Sequence, residues 1–255
     1  MQSTDHPPSH WARRLGFVRV FARHWSATDP RTEIPPAGLL PFRARRARPY
    51  LYTEQEIQRL LAAAKSLSPA NRLRPWTYHC LFGLLAVSGL RISEAIKLER
   101  QDVDFYQGVL TIRQTKFNKS RLVPMHASVV AALDAYLCVR AKVAGVDDHV
   151  FLRVGGRPMG LGALHAAFHV ILNKANIAPD RPRRPRIHDL RHTFATRALT
   201  QCAMRREDVA RDFVALSTYL GHSEIRHTYW YLEATPDLMG DIAAAAEILA
   251  AEVVA

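Results

Sequence analysis

Residues 88–113 read SGLRISEAIKLERQDVDFYQGVLTIR, and the pattern of apolar residues changes here from helical to strand-like. Gly89 follows the apolar helical run WTYHCLFGLLAVS and is placed to end that helix, because glycine readily adopts the left-handed conformation after a last helical turn. A short helix is predicted at 91–99. Three short β-type runs follow, at 102–105, 109–113 and 121–125. The stretch therefore predicts one small antiparallel sheet among helices.

Outside this stretch the sequence is mostly helical in its periodicity. A capping-box pattern at 53–56 precedes apolar positions at helical spacing and predicts a helix start. Further helices are predicted at 126–144, 161–175, 188–201 and 207–219, followed by an alanine-rich helix at 241–255. We find no internal repeat. The predicted fold class is mainly α with a small antiparallel β-sheet (α+β).

The N-terminal part of the chain has two compositions. Residues 11–25 place apolar side chains at helical spacing with arginines between them, and one amphipathic helix cannot bury its own apolar stripe. Residues 1–28 are therefore predicted to be the end of a small helical domain. Residues 29–49 carry five prolines and four closely spaced arginines, which predicts an extended basic linker before a main domain at 50–240.

The chain of 255 residues is strongly basic, with 35 lysines and arginines against 23 acidic residues and a net charge of +12. This balance favours a polyanionic partner, and nucleic acid is the first expectation. Neither a secretory signal nor a membrane anchor or span is found. We expect a cytoplasmic protein whose phosphate contacts come from Arg43, Arg45, Arg46, Arg48, Arg183, Arg184 and Arg186.

Cysteines and histidines give no metal or disulfide signal. The three cysteines are scattered in apolar contexts, which predicts reduced, buried thiols. His188 and His192 have the i, i+4 spacing of a zinc-binding helix, but the glutamate of that motif is missing. His165 and His169 lie on an apolar helix and are interpreted as core or surface residues. We therefore expect no metal.

Two arginine-containing motifs have both a structural and a functional interpretation. Arg91 and Glu94 are spaced to pair on one helical face, either as a surface ion pair or as an arginine fork held towards a phosphate. His188 and Arg191 share one face near a predicted helix N-terminus, where backbone N–H groups also favour an anion. The second motif resembles a phosphate pocket in outline.

Lysines and aromatic residues supply two further candidates. Lys116 and Lys119 lie in the turn TKFNKSR, where they are either solvated or reach into a cleft as a general acid or a phosphate contact. Residues 221–231, GHSEIRHTYWY, combine histidines and aromatic residues that serve either packing or chemistry.

Together and in this order, the motifs SGLRISE, IHDLRHTFAT and YLGHSEIRHTYWY resemble the tyrosine recombinase (phage integrase) family over about residues 50–240. The resemblance implies a recombinase that cuts and rejoins double-stranded DNA at a specific site through a 3′-phosphotyrosyl intermediate, without ATP, metal or another cofactor. It also implies self-association on DNA as a dimer or tetramer. A type IB topoisomerase, which shares this chemistry, and a catalytically silent DNA-binding remnant are the alternatives.

The resemblance also implies roles for individual residues. Arg91 and Arg191 would bind the non-bridging phosphate oxygens. Glu94 matches an acidic residue of the family that lies next to the phosphate-binding residues without contacting the phosphate. His188 would be the general base, His222 would hydrogen-bond the phosphate, and Tyr231 would be the nucleophile. Lys116 would protonate the leaving oxygen, with Lys119 as the substitute.

Helical geometry bears on the choice between the two tyrosines at 229 and 231. If 225–232 is helical, Ile225, Tyr229 and Leu232 share one apolar stripe, and Tyr231 points away from it. Tyr229 is then expected to pack and Tyr231 to be a free phenol. The family spacing from His222 also selects Tyr231.

The resemblance leaves two questions at the ends of the chain. The family carries a helical, SAM-like core-binding domain before the catalytic domain, and residues 1–28 match only its last helix. We therefore expect a truncated core-binding domain here. Residues 241–255 are expected to form a helix that docks on a neighbouring protomer, as a C-terminal segment does in the family.

Overall fold

The computed structural model describes residues 6, 8–40, 48–69, 72–113, 120–142, 147–205, 209–222, 224, 228 and 231. The chain divides into two compact units, 1–48 and 49–255. This division lies close to residue 50, where the sequence predicts the main domain to begin. The C-terminal helix predicted at 241–255 lies outside the described residues.

The first unit contains one long helix, α1 (Pro8–Trp25). Arg19 fixes the chain that follows it, because its guanidinium donates to the carbonyl oxygens of Pro35 at 2.9 Å and Pro36 at 2.7 Å. Within the described part of this unit, several large apolar side chains of α1 are exposed: Trp11, Phe17, Val18, Val20, Phe21 and Trp25. Arg48 is exposed at the end of the unit, whereas Arg43, Arg45 and Arg46 lie outside the described residues.

The second unit is mainly helical. Its helices are α2 (Glu54–Lys65), α3 (Leu73–Ser88), α4 (Ile92–Ile96), α5 (Ala127–Ala141), α6 (Leu161–Lys174), α7 (His188–Arg205) and α8 (Val209–Leu220). The predicted capping box begins α2: Thr53 Oγ1 accepts from the Glu56 amide at 3.2 Å, and the Glu56 carboxylate accepts from the Thr53 amide at 2.9 Å. The predicted stop at Gly89 is also confirmed, since α3 ends there with φ at +59°.

The sheet is small and antiparallel, as predicted. Its strands are β1 (Val103–Asp104), β2 (Val109–Ile112) and β3 (Arg121–Pro124), in the order β1-β2-β3. Ile112 pairs with Arg121, so Arg121 begins β3 at the end of the hairpin that carries the lysine turn. The turn residues 114–119, including Lys116 and Lys119, lie outside the described residues.

Two groups of buried side chains hold this unit together. The larger is built from α2, α3, α5, α6 and the sheet, with the rings of Phe82, Tyr136, Phe151 and Phe168 fully buried. The smaller lies between α7 and α8 and consists of Ala195, Leu199, Phe213, Leu216, Leu220 and Tyr231. Tyr219, near the end of α8, packs against both groups.

The cysteine expectation needs one correction. Cys80 is buried, but Cys138 on α5 is exposed, because apolar neighbours in sequence do not determine which side of a helix meets the core. Among the described residues, no helix is long and apolar enough to cross a membrane.

Candidate active site

Arg91 lies immediately before α4 and is held from two sides. Its Nη1 donates to Glu94 Oε1 at 2.8 Å, and its backbone amide donates to Glu94 Oε2 at 2.9 Å. Its Nη2 donates to the carbonyl oxygen of Gly221 at 2.8 Å, just beyond α8. The pairing predicted between Arg91 and Glu94 is therefore present, and it connects α4 to the end of α8.

A second arginine, which the sequence analysis missed, also holds Glu94. Arg121 at the start of β3 donates from Nη1 to Glu94 Oε1 at 3.0 Å and from Nη2 to Oε2 at 2.8 Å. Its Nε donates to the carbonyl oxygen of Tyr219 at 2.8 Å. Burial alone would raise the pKa of Glu94, but the hydrogen bonds and charge of Arg121 and the bonds from Arg91 lower it to about 2. Glu94 is therefore a fully ionised carboxylate at neutral pH.

Arg191 on α7 is buried, with 2% of the residue exposed. Its Nη1 donates to the carbonyl oxygen of Gly89 at 2.7 Å, and its Nη2 donates to that of Leu220 at 2.7 Å. Burial and then the positive charge of Arg91 lower the pKa of Arg191 to about 10. Arg191 therefore stays protonated at neutral pH, and the two guanidinium groups are close enough to repel each other.

All three arginines donate hydrogen bonds to carbonyl oxygens at the end of α8. The consecutive carbonyl oxygens of Tyr219, Leu220 and Gly221 accept from Arg121, Arg191 and Arg91, in that order, at 2.7–2.8 Å. We call these three residues the carbonyl triplet. Carbonyl groups at a helix C-terminus carry partial negative charge, which favours cations there. The triplet therefore brings together charges that would otherwise repel.

His222 follows the carbonyl triplet and contacts Arg191. The distance between Arg191 Nη2 and His222 Nε2 is 3.1 Å, and the distance between His222 Nδ1 and Thr228 Oγ1 is 2.7 Å. A guanidinium can only donate. His222 Nε2 is therefore the acceptor of this bond, and Nδ1 carries the proton and donates to the Thr228 hydroxyl.

His188 begins α7 and keeps an exposed edge. Desolvation of its ring and then the charge of Arg191 lower the pKa of His188 to about 4, so the imidazole is neutral at pH 7. The ring stands edge-on to that of His192, with centroids 4.7 Å apart. His192 is buried and its centroid lies 5.5 Å from that of Tyr231. No group of residues suited to a metal ion occurs among the described residues.

Tyr231 lies in the smaller apolar group between α7 and α8, with 2% of the residue exposed. The expectation of a free phenol was wrong, because α7 and α8 supply an apolar surface that buries the Tyr231 ring. Its direction relative to Ile225 and Leu232 stays a prediction, since both lie outside the described residues. Its ring centroid is 6.0 Å from that of His222. The side chain of Tyr231 forms a hydrogen bond with Arg191. This bond raises the pKa of Arg191, although burial and Arg91 lower that pKa overall. Tyr229 lies outside the described residues.

A cavity of about 310 Å³ opens beside His188. Its lining combines apolar and basic side chains: Ile92, His165, Phe168, His169, Arg184, Pro185, Arg186, Ile187 and His188. Arg186 pairs with Asp189 at 3.0 Å, whereas Nε and Nη2 of Arg184 are buried with no hydrogen-bond partner among the described residues. Arg183 is exposed on the same loop. The predicted basic loop therefore borders the site.

The structure thus brings Arg91, Glu94, His188, Arg191, His222 and Tyr231 into one region. Sequence reasoning missed Arg121, His192 and Thr228 as parts of it. The position of Arg121 directly after the lysine turn was a usable signal, and none was visible for Thr228.

Comparisons with known proteins identify the family of this chain. The phage integrase family model matches residues 51–237. A Sinorhizobium fredii protein named as an integrase/recombinase (y4rB) is 51% identical over 241 residues, covering 91% of this chain and 76% of that protein. The tyrosine recombinase XerD of Xanthomonas axonopodis pv. citri is 31% identical, covering 89% of this chain and 72% of that protein.

Solved structures share the fold. The Tn1549 transposon integrase in complex with transposon right end DNA superposes with a TM-score of 0.70 at 20% identity, covering 98% of this chain and 82% of that chain. The XerA recombinase superposes with a TM-score of 0.62 at 23% identity, covering 96% and 85%. The chain therefore belongs to the phage integrase family and is an enzyme of the tyrosine recombinase class.

Proposed function

We propose that this protein cuts and rejoins double-stranded DNA at a specific site through a covalent bond between Tyr231 and a 3′ phosphate. Neither ATP nor a metal takes part in the proposed reaction. The observation that carries the proposal is the contact of Arg191 with both His222 and Tyr231, beside Arg91. These side chains combine an anion site with a nucleophile.

The electrostatics support a phosphate as the bound group. Arg91 lowers the pKa of Arg191, so two positive charges lie close together with Glu94 as the nearby carboxylate. Glu94 is itself shared between Arg91 and Arg121. A phosphodiester bound between the two arginines would relieve their repulsion, and they would stabilise the charge that develops on its oxygens during transfer.

The proposed reaction exchanges one phosphodiester for another. The Tyr231 oxygen attacks phosphorus, the bond to the 5′ oxygen breaks, and the phenol proton passes to neutral His188. Lys116, or Lys119 in its place, would protonate the departing 5′ oxygen. Rejoining runs the same steps backwards with a 5′-hydroxyl of the partner strand. The bond energy stays in the phosphotyrosine, which explains why no ATP is required.

DNA binding would rest on basic side chains around this site and before it. Arg48 and Arg183 are exposed, and Arg184 and Arg186 line the cavity beside His188; contacts from Arg43, Arg45 and Arg46 stay a prediction. Because such contacts release counterions, we expect duplex affinity to fall steeply between low and moderate salt. A flat salt response would contradict this part of the proposal.

The covalent step can be tested with a randomised target. The protein is incubated with a pool of duplexes that carry a randomised segment and a nick at staggered positions, so that a short cleaved fragment diffuses away. We expect DNA attached to protein that resists detergent and is released by protease. Sequencing this DNA would give the target site.

The nucleophile is tested with a pair of matched variants. Tyr231→Phe should abolish the adduct, and Tyr106→Phe, at a tyrosine 93% exposed in the turn between β1 and β2, should leave it unchanged. An adduct that persists in Tyr231→Phe would overturn the assignment of Tyr231. Selective duplex binding with no adduct in the unmodified protein would support the DNA-binding remnant instead.

We also propose that the protein assembles with itself on DNA, with residues 241–255 contacting a neighbouring copy. Deleting these residues should reduce the mass of the protein–DNA complex measured on a duplex selected above. The share of DNA bound by single copies should then rise. Unchanged assembly would contradict the role of this segment.

A further inference from the structure

We propose that Arg121 is a positioning residue that couples the β2–β3 hairpin to the phosphate-binding arginine Arg91. It would act through the Glu94 carboxylate and the end of α8. This inference rests on the proposed function for its effect on cleavage, but its structural half stands on contacts that can be measured without DNA.

Arg121 is engaged by its neighbours and has little surface open to another ligand. Its Nη1 and Nη2 engage both oxygens of Glu94 at 3.0 and 2.8 Å, and its Nε engages the carbonyl oxygen of Tyr219 at 2.8 Å. The side chain is 12% exposed. These bonds use three of the five N–H groups of the guanidinium. A side chain buried to this extent is poorly placed to bind DNA itself, so it acts through its neighbours.

Glu94 passes this constraint on to Arg91. Both oxygens of the carboxylate are shared between the two arginines, because Oε1 accepts from Nη1 of each and Oε2 accepts from Nη2 of Arg121 and the amide of Arg91. Removing Arg121 would free one side of the carboxylate. Glu94 could then rotate, and Arg91 would lose its fixed direction.

The same arginine also constrains the turn that leads to His222. Gly221 has φ at +66°, and a Cβ built there would lie 2.9 Å from Nη1 of Arg121. The guanidinium therefore packs directly against the backbone of this turn. Loss of Arg121 would loosen residues 219–222, which include the carbonyl triplet.

The position of Arg121 in the sheet connects these contacts to the β2–β3 hairpin. Arg121 begins β3 and pairs with Ile112, so it is the first paired residue after the turn 114–119 that holds Lys116 and Lys119. One side chain therefore connects the base of the proposed lysine hairpin with the arginine site. Cleavage would depend on Arg121 even though it touches no DNA.

Three variants test the inference: Arg121→Met, Arg121→Lys and the control Arg100→Met. Arg100 forms an exposed ion pair with Asp148 at 3.1 Å, outside the site, so its loss removes the same charge without the coupling. Hydrogen exchange of residues 217–224 is measured by mass spectrometry in the DNA-free protein. Single-turnover adduct formation and salt-dependent affinity are measured on a duplex selected from the randomised pool.

In Arg121→Met we expect exchange at 217–224 to rise at least tenfold and adduct formation to fall about 100-fold, as small misplacements of reacting groups do. Duplex affinity should stay within twofold. Arg121→Lys keeps the charge but not the fork, so its cleavage should remain at least tenfold low. Arg100→Met should behave as the unmodified protein.

Three results would overturn the inference. Unchanged exchange at 217–224 in Arg121→Met would show that Arg121 does not hold the turn. Weaker binding with a salt slope reduced by about one would show that it contacts a DNA phosphate directly. Normal cleavage by folded Arg121→Met at low temperature would reduce Arg121 to a stabilising residue. If the unmodified protein forms no adduct, the proposed function fails. The hydrogen exchange of residues 217–224 then decides by itself whether Arg121 positions the turn.

Discussion

Nη1 of Arg191 donates to the carbonyl oxygen of Gly89 at 2.7 Å, so the residue that ends α3 also holds a guanidinium of the candidate active site. The two residues are far apart in sequence. Gly89 has φ at +59°, and a Cβ at this position would lie 2.4 Å from Cδ1 of Phe194 on α7. The helix end, the packing of α7 and the orientation of Arg191 therefore depend on the same small residue.

Gly89→Ala is expected to lower the free energy of unfolding by about 3 kcal/mol, because a left-handed backbone and an overpacked contact both become unfavourable. Urea denaturation followed by circular dichroism measures this change. Gly162→Ala on α6 is the matched control, since nothing lies within 4 Å of its added Cβ. The control should be no less stable than the unmodified protein. If Gly89→Ala loses less than about 0.5 kcal/mol, which is the size of a typical surface substitution, the prediction is contradicted.

Glu94→Gln is expected to destabilise the protein at neutral pH, because two arginines lose their shared negative charge. The pKa of Glu94 falls from 4.5 to about 2 on folding, which corresponds to about 3 kcal/mol of stability. A lowered carboxylate pKa contributes fully above 4.5, and this contribution is lost as pH falls towards 2. The difference between the variant and the unmodified protein in thermal denaturation should therefore shrink on acidification. A difference in melting temperature that stays constant with pH would contradict the lowered pKa of Glu94.

His188→Gln is expected to make the protein less sensitive to mild acid. The pKa of His188 falls from 6.5 to about 4 on folding, so between these values the unfolded chain takes up a proton that the folded protein does not. Stability therefore decreases in the unmodified protein as pH falls through this window. The drop in melting temperature from pH 7.5 to pH 5 should be smaller in the variant. Equal drops would count against the lowered pKa.

The imidazole of His222 is expected to carry its proton on Nδ1 in the DNA-free protein, because Arg191 occupies Nε2 as a donor. Nitrogen-15 NMR of labelled histidine distinguishes the two neutral tautomers. Thr228→Val, which removes the hydroxyl partner of Nδ1, should shift the tautomer signal, whereas Thr218→Val on the exposed side of α8 should not. A proton on Nε2 would contradict the contact with Arg191.

The sequence predicted local features well where short-range chemistry decides them. The capping box at Thr53 and Glu56, the helix stop at Gly89 and the pairing of Arg91 with Glu94 each depend on residues three or four positions apart. The order of helices around one small sheet followed from changes in periodicity. These are features for which spacing along the chain already determines proximity.

Long-range contacts were missed for a physical reason. Arg121 reaches Glu94 across 27 positions and Tyr219 across 98, and no periodicity encodes which neighbour a strand residue meets. The burial of Tyr231 was missed because helical geometry gives a direction relative to its own stripe only. The surface that buries its ring comes from α7 and α8, whose arrangement the spacing of residues did not show.

The carbonyl triplet makes the three arginines energetically interdependent. Each arginine holds a neighbouring peptide group, so displacing one shifts the acceptors of the other two. Substitutions at these positions should therefore not add up, and a double variant should lose less than the sum of its single variants. Such coupling also makes single substitutions at these positions costly. The first replacement already displaces the carbonyl oxygens that the remaining two arginines need as acceptors.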